Sequence, residues 1–303
     1  MIKKFSLLVA LVMIITVFTS CNKGTQETGN NNDGRVKVAV SFNALKQIAM
    51  AIGKDKIYIY TIVPNGVEPH DFEPKIKDFQ QLSDAKVFIY NGVGMESWVD
   101  KAVNAVDNKN LIKVNASTGC DLIKNSDNAQ IKEHGQYDPH IWLSLKNAKI
   151  EACNIKNALE KADPINKDYF EANYNEFIAN TDKLFEEYKP KFDSLSNKSF
   201  VTGHAAFAYF CRDFNLKQNS VEDVFAEGEP SSKKIEELVN YCRQNKVRVI
   251  FTEDMASPKV SKTLAQEVNA KAEKIYTIES QEDNKSYLSS MKENIQRVYD
   301  SLK

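Results

Sequence analysis

The chain has 303 residues, of which 42% are hydrophobic and 27% charged, and its formal net charge is −1. This length permits one large domain or two medium ones. No basic stripe indicates nucleic-acid binding. After position 21 no two cysteines are spaced as Cys-x-x-Cys, which argues against a thiolate zinc cluster. These cysteines are Cys120, Cys153, Cys211 and Cys242.

Residues 1–21 have the pattern of a bacterial lipoprotein signal peptide. Lys3 and Lys4 precede an apolar run over 5–19 that is shorter than the roughly 20 residues of a membrane span. Phe18-Thr-Ser-Cys21 resembles a lipobox, with Phe18 in place of the usual leucine. The resemblance implies cleavage before Cys21, a lipid on its sulfur and an extracytoplasmic protein anchored to the bacterial membrane. An ordinary signal peptide with an incidental cysteine is the alternative.

Residues 22–35 are rich in Gly, Asn, Thr and Asp, which predicts a flexible tether. Strand-like runs then alternate with helical patterns, which predicts an α/β fold with parallel sheets. In the first part, strands are expected near 36–41, 57–63, 87–91 and 111–114, and helices near 44–52, 75–82 and 96–106.

A long helical pattern divides two βα regions. After a helix near 145–161, residues 164–195 hold no helix breaker except Pro190, and Tyr169, Tyr174, Phe177, Leu184 and Tyr188 form one predicted face. A helix of roughly 25 residues would span about 38 Å. We therefore predict an N-terminal α/β lobe over 36–163, a linking helix over 164–195 and a C-terminal α/β lobe over 196–303. The second lobe is expected to contain strands near 200–202, 247–252 and 274–278 and helices near 205–214, 232–245, 257–269 and 287–302.

Four metal-competent side chains are expected at the ends of strand-like runs. His70 and His204 follow such runs, Glu279 ends another, and His140 begins the segment His-Ile-Trp-Leu. Ligands of open α/β sheets gather at the carboxyl ends of strands. The pattern predicts one nitrogen-and-oxygen metal site between two lobes.

Several blocks resemble one family of receptors. They include Val-Glu-Pro-His-Asp-Phe-Glu-Pro around His70, Asp-Pro-His-Ile-Trp around His140 and Thr-Gly-His-Ala-Ala-Phe around His204. Together with 91–98, 229–231 and 251–253 they match, in order, the zinc- and manganese-binding solute receptors of bacterial ABC importers (cluster A-I). The resemblance implies two α/β lobes joined by one long rigid helix. It also implies capture of a metal between the lobes and delivery to an ABC permease and its ATPase.

The resemblance further implies a ligand set. His70, His140 and His204 match the three histidine positions, and Glu279 matches the glutamate of the zinc-type subgroup, with Glu282 or Asp283 as alternatives. His134 is expected to be a solvated loop residue. The aromatic rings of Trp98 and Trp142 are expected in the core. Four carboxylates have two possible roles on the sequence alone: to accept a hydrogen bond that orients an imidazole ring, or to face solvent. They are Asp71, Glu73, Asp138 and Glu253.

Three imidazoles and one carboxylate favour zinc, since manganese prefers more oxygen donors. Four protein ligands leave no coordination position open for water, so an enzyme is not expected. We expect a monomeric receptor that binds no nucleic acid. A manganese receptor of the same family, a zinc-holding surface adhesin and a zinc-dependent hydrolase are the alternatives.

Overall fold

The protein contains two parallel four-stranded sheets. The computed structural model describes residues 34–125, 131, 135–224, 230–254 and 258–303. The predicted signal peptide, most of the predicted tether and His134 lie outside this part of the chain. The first sheet has the order β2-β1-β3-β4 and the second the order β6-β5-β7-β8. The strands are Val36–Val40 (β1), Ile57–Thr61 (β2), Val87–Tyr90 (β3), Ile112–Asn115 (β4), Ser199–Thr202 (β5), Lys217–Ser220 (β6), Val249–Thr252 (β7) and Lys271–Lys274 (β8).

Helices cover the sheets, as parallel sheets require because both of their faces are apolar. The α-helices are Asn43–Gly53 (α1), Ile76–Asp84 (α2), Val99–Ala105 (α3), Leu145–Ala162 (α4), Lys167–Asp193 (α5), Ala208–Phe214 (α6), Ser232–Gln244 (α7), Pro258–Glu267 (α8) and Tyr287–Leu302 (α9). Short 3₁₀ helices occupy Lys54–Lys56, Ile141–Leu143 and Pro164–Asn166. The predicted α/β class is confirmed.

The second sheet differs most from the prediction. Strand β6 was not predicted, because Lys-Gln-Asn-Ser carries no apolar signal. The strand predicted at 274–278 is wrong: β8 is the polar segment Lys271–Lys274, and the apolar residues after it are buried in the core without being a strand. Both missed strands lie at sheet edges, where little of the side-chain surface is buried. Helices α3 and α6 begin three residues later than predicted.

Helix α5 links the two sheets along the chain. Its 27 residues span about 40 Å, and the segment predicted at its start is a separate 3₁₀ turn. Near its first turns Asn173 donates to the carbonyl of Ile52 in α1, and near its end Phe192 packs on Phe214 of α6 with ring centroids 4.9 Å apart. Tyr169 and Tyr174 of the predicted face are only half-buried. The buried face is Phe170, Asn173, Phe177, Thr181, Leu184, Tyr188 and Phe192.

Residues of both sheets share one hydrophobic core within the unit Arg35–Lys303. Val38 of β1 and Phe200 of β5 belong to this core, while a smaller cluster around Val201 and Ile250 lies on the other side of the second sheet. The predicted lobe boundaries at 163/164 and 195/196 remain predictions. No helix in the described part of the chain is both long and apolar enough to cross a membrane.

Candidate metal centre

The four predicted ligands come from four separate loops. His204 follows β5 by two residues, as expected for a side chain at a strand end, whereas His70 lies nine residues after β2, in the loop before α2. His140 does not follow a strand; it directly precedes the 3₁₀ turn Ile141–Leu143. Glu279 lies five residues beyond β8. The structure brings all four together although only His204 is positioned directly by a strand end.

The donor atoms of this cluster are spaced for one metal ion. Nε2 of His70 is 3.2 Å from Nε2 of His140, which in turn is 3.4 Å from Oε1 of Glu279. The His70, His140 and His204 ligand atoms lie within 4.8 Å of one another. Zinc bonds of 2.0–2.2 Å place the corners of a regular tetrahedron about 3.3–3.6 Å apart. The two shortest distances therefore fit edges of a zinc tetrahedron.

Asp138 fixes the orientation of the His140 ring. Its Oδ1 lies 2.8 Å from His140 Nδ1 and also accepts from the backbone N–H of His140 at 2.9 Å. Since a carboxylate can only accept, Nδ1 carries the proton and Nε2 is left to face a metal. Burial alone lowers the pKa of His140, but Asp138 and Glu279 outweigh it and raise that pKa to about 9.

His204 is fixed by a backbone carbonyl. Its Nε2 donates to the carbonyl oxygen of Val224 at 2.8 Å, so metal binding uses Nδ1 or requires this bond to break. Burial, and then the charge of His140, lower the pKa of His204. Glu253 accepts from the backbone N–H of His204 at 3.3 Å and does not orient the ring through this bond.

Glu279 is a buried carboxylate that lacks a hydrogen-bond donor. Its residue is 3% exposed, and neither oxygen has a hydrogen-bond partner within the described residues; the 3.4 Å approach of His140 Nε2 is an ion contact. Burial raises its pKa, but the three histidines outweigh burial and hold the pKa near about 2. A buried charge needs a partner of opposite sign, and a bound metal cation would replace the protonated His140 as that partner.

A strained backbone presents Glu279 to the histidines. Ile278 is buried and has φ +64°, a conformation that costs a β-branched residue about 1–3 kcal/mol. Asn43, at the start of α1, donates to the carbonyls of Ile278 at 3.0 Å and Ser280 at 2.8 Å. The Gly66 N–H donates to Ser280 Oγ at 2.8 Å. These bonds, from residues in the first half of the chain, hold the Glu279 turn in place.

We expect Asn43→Ala to weaken zinc affinity about three- to tenfold, because two carbonyls flanking Glu279 lose their donor and the strained turn relaxes. A chelator-competition titration measures the change. Asn108→Ala is the matched control, since Asn108 also donates to two carbonyls, those of Ser83 and Ala85, on a different surface. Equal losses in the two variants would show that Asn43 supports only general stability.

The alternative carboxylates are held differently. Asp283 accepts from Tyr276 Oη at 2.8 Å and pairs with Lys274 at 3.2 Å. Glu282 is buried, and burial together with the charge of Glu279 raises its pKa to about 8. Neither joins a group of convergent donors with the histidines, among the residues described. Glu279 is therefore the carboxylate that the geometry supports.

Glu68 is a nearby carboxylate that the sequence interpretation missed. Its Oε1 is 3.9 Å from Nε2 of His70, and Glu68, His70 and Glu279 form a second group of convergent donors. Burial and the charge of Glu279 raise its pKa to about 8. Its position two residues before His70 was the available signal, but Pro69 between them gave no indication of which way either side chain points.

The remaining candidates are structural or exposed. Trp142 packs on Phe42 and donates from Nε1 to the carbonyl of Thr277 at 2.7 Å, and Trp98 packs against Phe72 and Phe88. Both tryptophans therefore belong to the core, and the Trp142 ring also lies against the His140 ring, with centroids 5.3 Å apart. Asp71 and Glu73 lie on the exposed part of the His70 loop.

Comparison with known proteins identifies the family. A model described as "ZnuA: Zinc-uptake complex component A periplasmic" matches residues 38–301. The chain belongs to this family. It is 34% identical to the "High-affinity zinc uptake system protein ZnuA" of Bacillus subtilis, over 100% of this chain and 99% of that protein.

Two further family relatives differ in their named roles. The chain is 32% identical to the "Manganese ABC transporter substrate-binding lipoprotein PsaA" of Streptococcus mitis, over 99% of both chains. The solved laminin-binding protein Lmb of Streptococcus agalactiae, described as bifunctional with adhesin and metal-transporting activity, superposes with a TM-score of 0.80 at 30% identity. That match covers 89% of this chain and 100% of Lmb.

Proposed function

We propose that this protein captures a divalent transition metal outside the cytoplasm, zinc foremost, and delivers it to an ABC permease and its ATPase. The observation that supports this proposal is the buried Glu279 carboxylate, which has no hydrogen-bond donor among the described residues and lies near three histidines. The metal content of protein purified without chelator is the first test. Protein that contains no zinc, and binds none after dialysis against chelator, contradicts the proposal.

Coordination chemistry supports zinc over manganese. The deeply buried donors are three imidazoles and one carboxylate, a set that closes a zinc tetrahedron. Manganese prefers more oxygen ligands and a higher coordination number. A manganese receptor stays the alternative, because a relative of this family carries manganese in its name. Parallel titrations with both ions separate the two.

The same donor set argues against hydrolysis. A catalytic zinc keeps one position for water, whereas His70, His140, His204 and Glu279 fill four. A role as adhesin is favoured by the similarity to Lmb. Binding to immobilised laminin, compared between zinc-loaded and chelator-treated protein, tests that role separately from metal uptake.

We propose that a lipid on Cys21 holds the receptor at the membrane and that residues 22–35 tether it. The support is the lipobox-like Phe18-Thr-Ser-Cys21 and the polar composition that follows. The folded part is proposed to act as a monomer. Cys21→Ala should release the protein from the membrane fraction, and sedimentation of the soluble form measures its oligomeric state.

Metal release is expected to involve limited movement. The linking helix α5 is continuous and packs on α1, α4, α6 and α9, so no loop residue is available along it to absorb a wide hinge rotation. Pro190, in its last turns, permits only a local kink. The radius of gyration of metal-free and zinc-loaded protein should agree within about 1 Å in solution scattering. A difference of several ångströms would contradict the rigid-helix argument.

A further inference from the structure

Glu68 lies at the solvent side of the metal centre. Its side chain is 27% exposed, whereas those of His70 and Glu279 are 1% exposed and His140 is completely buried. Glu68 also lines a surface cavity of about 300 Å³ together with Asp71 and Glu73. Among the described residues, Glu68 is therefore a partly exposed carboxylate that directly neighbours the buried donors.

Two groups of potential metal donors have His70 in common. The inner group is His70, His140 and His204, and the outer group is Glu68, His70 and Glu279; the donor atoms in each lie within 4.8 Å of one another. His70 belongs to both groups, and Glu279 touches both, since its Oε1 is 3.9 Å from His70 Nε2 and 3.4 Å from His140 Nε2. A cation can therefore move between the groups while keeping two of its protein ligands.

We propose that Glu68, His70 and Glu279 form an outer metal position through which a divalent cation passes on its way into and out of the inner position. This rests on the proposed function, and it assigns Glu68 a role in transit. In the outer position the cation has two carboxylates and one imidazole, with water completing its shell. In the inner position water is replaced by His140 and His204. Glu68 then withdraws, because zinc is already four-coordinate.

A transit position has a kinetic signature that other roles lack. Removing a shared intermediate slows association and dissociation by the same factor and leaves the equilibrium constant unchanged. Loss of a ligand from the final complex would accelerate dissociation instead, and loss of an attractive charge would slow association alone.

The test is stopped-flow zinc binding to the metal-free mature chain, and zinc loss to excess chelator, for wild type and Glu68→Gln. We expect both rate constants to fall about fivefold or more, with the dissociation constant unchanged within about threefold. Glu73→Gln is the matched control, an exposed carboxylate on the same loop and cavity, and should leave the dissociation rate unchanged. Glu68→Asp keeps the carboxyl group but shortens the reach, so it should also slow both rates.

Each other result overturns the proposal. Faster zinc loss from Glu68→Gln would make Glu68 a ligand of the final complex. Slower association alone, restored by Glu68→Asp, would make it a steering charge. Unchanged rates would remove it from the pathway. Failure of the wild type to bind zinc would instead contradict the proposed function. Metal-free thermal unfolding of each variant verifies that the fold is retained.

Discussion

Replacing His140 with alanine is expected to weaken zinc binding by about tenfold or more, the largest loss among single substitutions in this protein. The change removes Nε2, which lies within 3.4 Å of donor atoms on both His70 and Glu279. It also leaves the buried Asp138 carboxylate without the imidazole that it orients. Competition against a chelator of known affinity measures the loss.

Losses of about tenfold, but not larger than that of His140→Ala, are expected for alanine at His70 and His204 and for Glu279→Gln. Glu282→Gln serves as the matched control, since Glu282 is also a buried glutamate on the same turn. His134→Ala is a second control on a residue predicted to be solvated. If either control weakens zinc as much as His140→Ala, the proposed ligand set is wrong.

Zinc affinity is expected to fall about 100-fold between pH 7.5 and pH 5.5, near tenfold per pH unit. The neutral imidazole is the form that binds metal. The pKa of His140 is raised to about 9, so this ring is positively charged, with a proton on both nitrogens, throughout the range. Zinc must displace the proton on Nε2. Lower pH therefore weakens binding. Glu279, whose pKa is held near about 2, stays charged and contributes no pH dependence here.

The source of this pH dependence can be tested with Asp138→Asn. Removing the Asp138 charge takes away a main cause of the raised His140 pKa, so the fall in affinity should become shallower at the upper end of the range. His204, whose pKa is lowered, should add a second competing proton only under more acidic conditions. An affinity that stays flat between pH 7.5 and pH 5.5 in the wild type would indicate a site dominated by carboxylates.

The sequence predicted the features that local pattern controls. Apolar runs such as Val36–Val40 and the helix Tyr287–Leu302 carry their periodicity in consecutive residues. The edge strand Lys217–Ser220 is polar and was not predicted. It is a strand because its backbone pairs with β5, and its own side chains carry no apolar pattern that would indicate this. The apolar composition of the run before Glu279 predicts a strand, but these residues are apolar because they are buried in the core and not because they pair in a sheet.

The sequence predicted the candidate ligands of the site, but not the hydrogen bonds that hold the Glu279 turn or the neighbouring carboxylate Glu68. The histidines stand out because each lies in a distinctive short block. Asn43 carries no such signal, since its partners Ile278 and Ser280 are more than two hundred positions away along the chain. Glu68 was overlooked because spacing alone does not tell whether a carboxylate faces the same centre as a histidine two residues later.

The bonds from Asn43 to Ile278 and Ser280 have a consequence for the order of folding. They close sequence separations of 235 and 237 residues, among the longest that a chain of this size can make. Contacts of such separation form late, because the entropy of closing the intervening loop must first be offset elsewhere. A chain that is still emerging on the far side of a membrane therefore exposes its histidines before it can present Glu279. The ligand set stays incomplete until the last 25 residues, which begin with Glu279, start to arrive.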